Sequence, residues 1–102
     1  MNDQKLSGLI GLAFKARQAV SGMEACRVLC RSGKCGVILL DDDAGTNTRK
    51  KAEEICRRSG SELRILPAGM IERATGRCNI IIAVCKGSFA DTICKITQYD
   101  LP

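Results

Sequence analysis

A chain of 102 residues is the size of one domain, and 45% apolar with 26% charged residues is a globular composition rather than a disordered one. The net charge of +5 favours polyanionic partners. The absence of His removes the side chain best suited to acid–base work near neutral pH and the commonest companion of Cys in zinc sites.

In chain order, Leu6, Leu9, Ile10, Ala13 and Ala16 recur at spacings of three and four, so the first element is a helix with these residues inward, capped by Asn2 or Asp3. A short extended piece, Gln18 to Val20, follows. Ser21-Gly22-Met23-Glu24 reads as a capping box that opens a second helix to about Ser32, with Ala25, Cys26, Leu29 and Cys30 inward and Gly33 as its left-handed stop. Gly36 to Leu40 is a continuous apolar run, the mark of a buried strand. After Asp41-Asp42-Asp43-Ala44-Gly45 a third helix is expected from Thr46 to Ser59, with Ala52, Ile55 and Cys56 inward and Gly60 ending it. Glu62 to Leu66 alternates and predicts a strand. Pro67 starts a short helix through Thr75, which Gly76 ends. Asn79 to Cys85 is the most apolar strand, expected in the centre of the sheet, and Gly87 and Ser88 open a last helix with Phe89, Ile93 and Ile96 inward. The alternation predicts one α/β domain over residues 1–102, a sheet of about four strands with helices on both faces and some antiparallel pairing.

Three segments and the set of cysteines carry candidate chemistry. The start of the second helix, Ser21 to Glu24 with Arg27 one turn on, offers unpaired N–H groups and a positive dipole end to phosphates or base edges; its plain alternative is a capping box that serves only the backbone. The basic, glycine-containing segment Glu72-Arg73-Ala74-Thr75-Gly76-Arg77-Cys78-Asn79 precedes the central strand, where binding residues collect; the plain alternative is an ordinary helix stop followed by a solvated turn. Asp41, Asp42 and Asp43 could hold Mg²⁺, but they lack the spaced ligands of a calcium loop and read better as a solvated turn capping the next helix.

The seven cysteines form no CxxC pair, and their number is odd. With only Phe14, Phe89 and Tyr99 as aromatics, they are best read as core filling, with neither zinc nor structural disulfide expected. Free thiols, the lack of a signal-peptide pattern at Met1 to Lys5 and the lack of an apolar run near the roughly 20 residues of a membrane span point to the cytoplasm and away from a membrane. No nucleophile stands with a base, and neither GxxxxGK[ST] nor GxGxxG occurs, so neither an enzyme nor a cofactor is expected.

The order of segments adds a resemblance. Leu9-Ile10-Gly11-Leu12-Ala13-Phe14-Lys15-Ala16-Arg17 precedes Val20-Ser21-Gly22; Val37-Ile38-Leu39-Leu40 with Asp43-Ala44 follows, and then Ile71, Arg73, Ala74, Thr75, Gly76 and Arg77. From about Lys5 to Ala90 the chain resembles the bacterial, YlxQ-like branch of the ribosomal L-seven-Ae/L-thirty-e family. The resemblance implies a three-layer α/β/α sandwich around a mixed sheet. It also implies binding of kink-turn RNA, a sharply bent structured element, by the N-terminus of the second helix and the loop before the last main strand. Gly22 matches the family glycine that opens the binding helix, and Arg77, Cys78 and Asn79 fall in the second contact loop. Where kink-turn binders carry Asn, then Glu, then Lys further along, this chain has Glu24, Ala25 and Val28, with Arg27 and Arg31 nearby as cations. Arg17 and Glu72 stand where the branch often has glycine.

The resulting expectation is a monomeric, non-enzymatic protein that binds kink-turn or ribosomal RNA, and through it the ribosome. Ser21, Gly22 and Met23 would present backbone, Glu24 would meet a base edge, and Arg27, Arg31 and Arg77 would meet phosphates. The alternatives are an interaction module of the translation machinery without tight RNA binding and, more remotely, a thiol-based sensor or enzyme.

Overall fold

A computed structural model describes residues 3–76 and 79–98. Nine elements follow in order: α1 Asp3–Lys15, β1 Ala19–Ser21, α2 Met23–Arg31, β2 Cys35–Asp41, α3 Thr46–Ser59, β3 Glu62–Leu66, α4 Met70–Thr75, β4 Ile81–Cys85 and α5 Ser88–Gln98. The sheet order is β1-β4-β2-β3; β4 pairs antiparallel with both β1 and β2, and β2 pairs parallel with β3. The expected mixed sheet with helices on both faces is present, and the strand through Ile81 to Cys85 is an interior one.

Strand side chains alternate between faces. Val37 and Leu39 of β2, with Ile82 and Val84 of β4, join Leu6, Ile10 and Ala13 of α1, Met70 and Ile71 of α4, and Ala90 and Ile93 of α5 in one core layer. Ile38 and Leu40, with Ile81 and Ala83, join Cys26 and Cys30 of α2 and Ala52, Ile55 and Cys56 of α3 in the other. Cys35 belongs to this second layer although its odd number would place it with Val37. The reason is a register shift: Cys35 pairs with Cys85 and Val37 with Val84, so Gly36 is an extra residue. A Cβ at Gly36 would lie 2.7 Å from the Ala90 Cβ and 3.1 Å from the Lys86 Cα, so only glycine fits the bulge.

Several boundaries differ from the sequence-based expectation. Ala16 is exposed because α1 stops at Lys15. There the Arg17 N–H reaches the Phe14 carbonyl and the Gln18 N–H the Ala13 carbonyl, with Arg17 in the left-handed region at φ 60. Arg17 thus holds a position suited to glycine, as its place in the family pattern implied. The short strand runs from Ala19 to Ser21, one residue later than expected, because its partners are Val84, Ala83 and Ile82. The short helix starts at Met70 rather than Pro67, after a left-handed Gly69 at φ 85. Asn79 and Ile80 lie ahead of β4 rather than in it.

The three aspartates do not form a simple solvated cap. Asp41 ends β2 and is buried. Its Oδ1 accepts the Asp43 N–H at 2.7 Å and its Oδ2 accepts the Gly69 N–H at 3.0 Å. One carboxylate therefore ties the β2–α3 loop to the β3–α4 loop. Gly45, not an aspartate, is the N-cap of α3.

Candidate functional site

The strand pairings bring the candidate segments to one end of the sheet. Ser21 pairs with Ile82, so the end of β1 lies beside the start of β4. Gly22 then turns the chain into α2, and its N–H donates to the Ile81 carbonyl at 3.1 Å. At the same end the Asp41 N–H donates to the Ile80 carbonyl at 2.8 Å. Three connections, β1–α2, β2–α3 and the segment before β4, thus converge because β4 runs antiparallel to its two neighbours.

Gly22 is the N-cap of α2 with φ 91 and ψ 150, a conformation that L side chains rarely adopt. Nothing lies within 4 Å of where its Cβ would be, so backbone conformation rather than crowding requires the glycine. No side chain caps α2. The first helical bond is from the Cys26 N–H to the Gly22 carbonyl. The N–H groups of Met23, Glu24 and Ala25 are therefore outside the helix ladder and available to an incoming acceptor.

The capping box is overturned. Ser21 is a strand residue in the ladder with β4, and Glu24 turns instead to Arg27, with Oε2 and Nη1 2.8 Å apart. Glu24 is exposed and Arg27 partly so. Glu24, Val28 and Arg31 follow one another at helical spacing along the outer side of α2, while Cys26 and Cys30 are buried.

Gly22 and Met23 line a depression of about 250 Å³ together with Asn79, Ile80, Ile81, Thr48 and Lys51. Asn79 also lines a second depression of about 320 Å³ with Phe14, Lys15, Ser21 and Thr75. The structure thus brings Ser21, Gly22, Met23 and Asn79 together, with Glu24 beside them. Arg27 and Arg31 line a separate cleft towards α3. Arg77 and Cys78 lie outside the described residues. The sequence reasoning missed Thr48, Lys51, Lys15 and Ile80. Lys51 carried a signal, since the basic run Arg49-Lys50-Lys51 opens a helix directly after the aspartate turn.

The six described cysteines are free thiols, and no metal-holding group of His, Cys, Asp or Glu occurs among the described residues. Burial pushes the Cys26 thiol up to about 12, and neighbouring Cys35, Cys30 and Cys56 add to the rise. Burial does the same at Cys35, where the Ser61 hydroxyl opposes it, and at Cys56. Such thiols remain protonated and unreactive at neutral pH. No described helix is long and apolar enough to cross a membrane.

The architecture is that of an L-seven-Ae-like α/β/α fold. The Giardia lamblia 15.5kD RNA binding protein superposes with a TM-score of 0.73 over 96% of this chain and 88% of its own; at 13% identity this is a likeness of fold. A protein of unknown function from Bacillus halodurans superposes with a TM-score of 0.86 at 27% identity, over 92% of this chain and 97% of its own. Among curated proteins, the chain is similar to the RNA-binding protein YlxQ of Bacillus subtilis (strain 168), 28% identical over 90 residues that make up 86% of this chain and 90% of that protein. It is 36% identical over 53 residues, 52% of each chain, to the RNA-binding protein YlxQ of Enterococcus faecium. No protein-family model matches. The YlxQ-like resemblance read from the residue pattern therefore holds over most of the chain.

Proposed function

We propose that this protein is a non-enzymatic RNA-binding protein of the cytoplasm that recognises kinked, structured RNA of the kink-turn kind and works with the ribosome or the translation machinery. The observation that carries this reading is the α2 N-terminus. It has no side-chain cap, is open above Gly22, and shares one depression with Asn79. Free N–H groups at a positive dipole end suit phosphate oxygens and base-edge acceptors. Glu24 would accept from a guanine N–H, Arg27, Arg31 and Arg77 would meet phosphates, and Cys78 and Asn79 would add contacts from the segment before β4. The scarcity of aromatics favours readout of shape over stacking on single strands. The likeness to proteins named YlxQ supports RNA as the ligand.

A protein-interaction role is favoured by one observation: the outer side of α2 carries Glu24 engaged with Arg27 and an exposed Val28, in place of the family's Asn, Glu and Lys. Titration with a kink-turn RNA and with an unkinked duplex of the same length separates the two. Affinity for the kinked RNA is expected to be about tenfold or more higher, a difference of roughly 1.4 kcal/mol. Glu24→Asn with Ala25→Glu, which restores an amide and a carboxylate, is expected to raise it further. Undetectable binding by both proteins would leave the interaction module standing instead.

A further inference from the structure

Between α2 and α3 lies a cleft of about 270 Å³ whose α3 wall has no part in the function proposed above. Arg27 and Arg31 line it from α2, and Lys51, Glu54 and Arg58 from α3, over a floor that includes Cys30 and Ile55. The spacing explains the arrangement. Arg27 and Arg31 are four apart, and Lys51, Glu54 and Arg58 recur at three and four, so each helix presents one stripe. Two of the four cations have carboxylate partners: Arg27 with Glu24, and Arg58 with Glu54 at 3.0 Å. Arg31 and Lys51 have none among the described residues. Two uncompensated cations facing one cleft repel each other unless an anion joins them.

The cleft also adjoins the candidate site, because Lys51 lines both it and the depression formed by Gly22, Met23 and Asn79. The charge distribution agrees. α2 and α3 together carry seven Lys and Arg against three carboxylates, whereas α1, α4 and α5 together carry four against three. Four cations against one carboxylate in the lining suit a phosphate backbone, which brings an acceptor to each uncompensated charge.

We infer that the α2–α3 cleft is a second phosphate-binding surface, which takes the backbone of the stem that leaves the α2 N-terminus, with Lys51 and Arg58 of α3 as contacts. It rests on the RNA-binding function proposed above. The exposed Arg58–Glu54 pair is weak, so a phosphate can take over the guanidinium without a large penalty.

The test is the salt dependence of binding to two kink-turn RNAs, one with a long flanking stem and one with that stem cut to its minimum. Lys51→Gln/Arg58→Gln is compared with Lys86→Gln/Lys95→Gln, which removes the same charge from exposed positions elsewhere. For the long RNA the cleft variant is expected to flatten the log–log slope by about 1.4–1.8, two phosphate contacts. For the minimal RNA the loss should not exceed about 0.9, the share of Lys51 alone. The control should leave the difference between the two RNAs unchanged. A cleft variant that loses no more than the control on the long RNA overturns the inference while RNA binding itself stands. A wild-type protein that binds neither RNA overturns both.

Discussion

On one face of the sheet α1, α4 and α5 close over Leu, Ile, Val, Met and Ala; on the other α2 and α3 close over a layer in which four of ten buried side chains are Cys. The first layer is aliphatic apart from the Met70 thioether; the second mixes Ile38, Leu40, Ile55 and Ile81 with compact Cys and Ala side chains. The outer surfaces differ as well, since the excess of Lys and Arg sits on α2 and α3. The face that builds its core with thiols thus carries most of the candidate contacts, while the aliphatic face adds Lys15 and Thr75 beside Ser21 and Asn79. The bulge at Gly36 links the two, because it moves Cys35 out of the aliphatic layer and into the thiol layer.

Raising the pH should break the thiol layer first. Cys26, Cys35 and Cys56 are held up to about 12 when folded, against an ordinary value of 9.0. The unfolded chain therefore loses protons that the folded chain keeps, and stability present below about pH 9 falls as pH rises towards 12. The steepest slope is roughly 1.4 kcal/mol per pH unit for each thiol. Urea unfolding across this range should show the fall, and Cys26→Ala/Cys35→Ala/Cys56→Ala should flatten it; an equally steep fall in the variant would reject the cause.

In the aliphatic layer Leu39→Ala should cost about 2–5 kcal/mol, since Leu39 is fully buried in the layer it shares with α1, α4 and α5. Cys26→Ala removes a single heavy atom and should cost only about 1 kcal/mol. Equal losses in chemical denaturation would erase the contrast between the layers. Gly36→Ala should cost about 1–3 kcal/mol by forcing a methyl against the Ala90 Cβ and the Lys86 backbone, read as a lower thermal midpoint.

Two small effects sharpen the comparison. Arg17→Gly should stabilise by about 0.5–1 kcal/mol: relief of a left-handed non-glycine residue exceeds the added chain entropy of glycine. Glu24→Ala should change stability by only about 0.2–0.5 kcal/mol, the size of an exposed helix pair, because no capping bond is lost. A loss near 2 kcal/mol would reinstate the capping box.

Much of the fold was legible because hydrophobic period and glycine stops are local signals. α3 and β3 follow their expected bounds, and Gly33, Gly60 and Gly76 all end helices with positive φ. The failures share a cause in contacts distant along the chain. Ser21 was drawn into a strand by Ile82, so it could not cap α2. Asp41 was buried by its bond to the Gly69 N–H, 28 residues away, so a turn that looked solvated became a tie between loops. For the site, Gly22 and Asn79 were named from the pattern, but Lys51 was not, because a basic run on a helix does not reveal which cleft it lines.

The sequence by itself determined the element types, the two-sided sheet and the basic, thiol-rich character of the chain, because periodicity, composition and glycine placement act over a few residues. Tertiary structure alone decided which end of the sheet gathers the β1–α2 turn, the aspartate loop and Asn79, and which helix faces Lys51 and Arg31 share. Those outcomes depend on strand order and register, in which one antiparallel strand, β4, sets the neighbours of every loop around it.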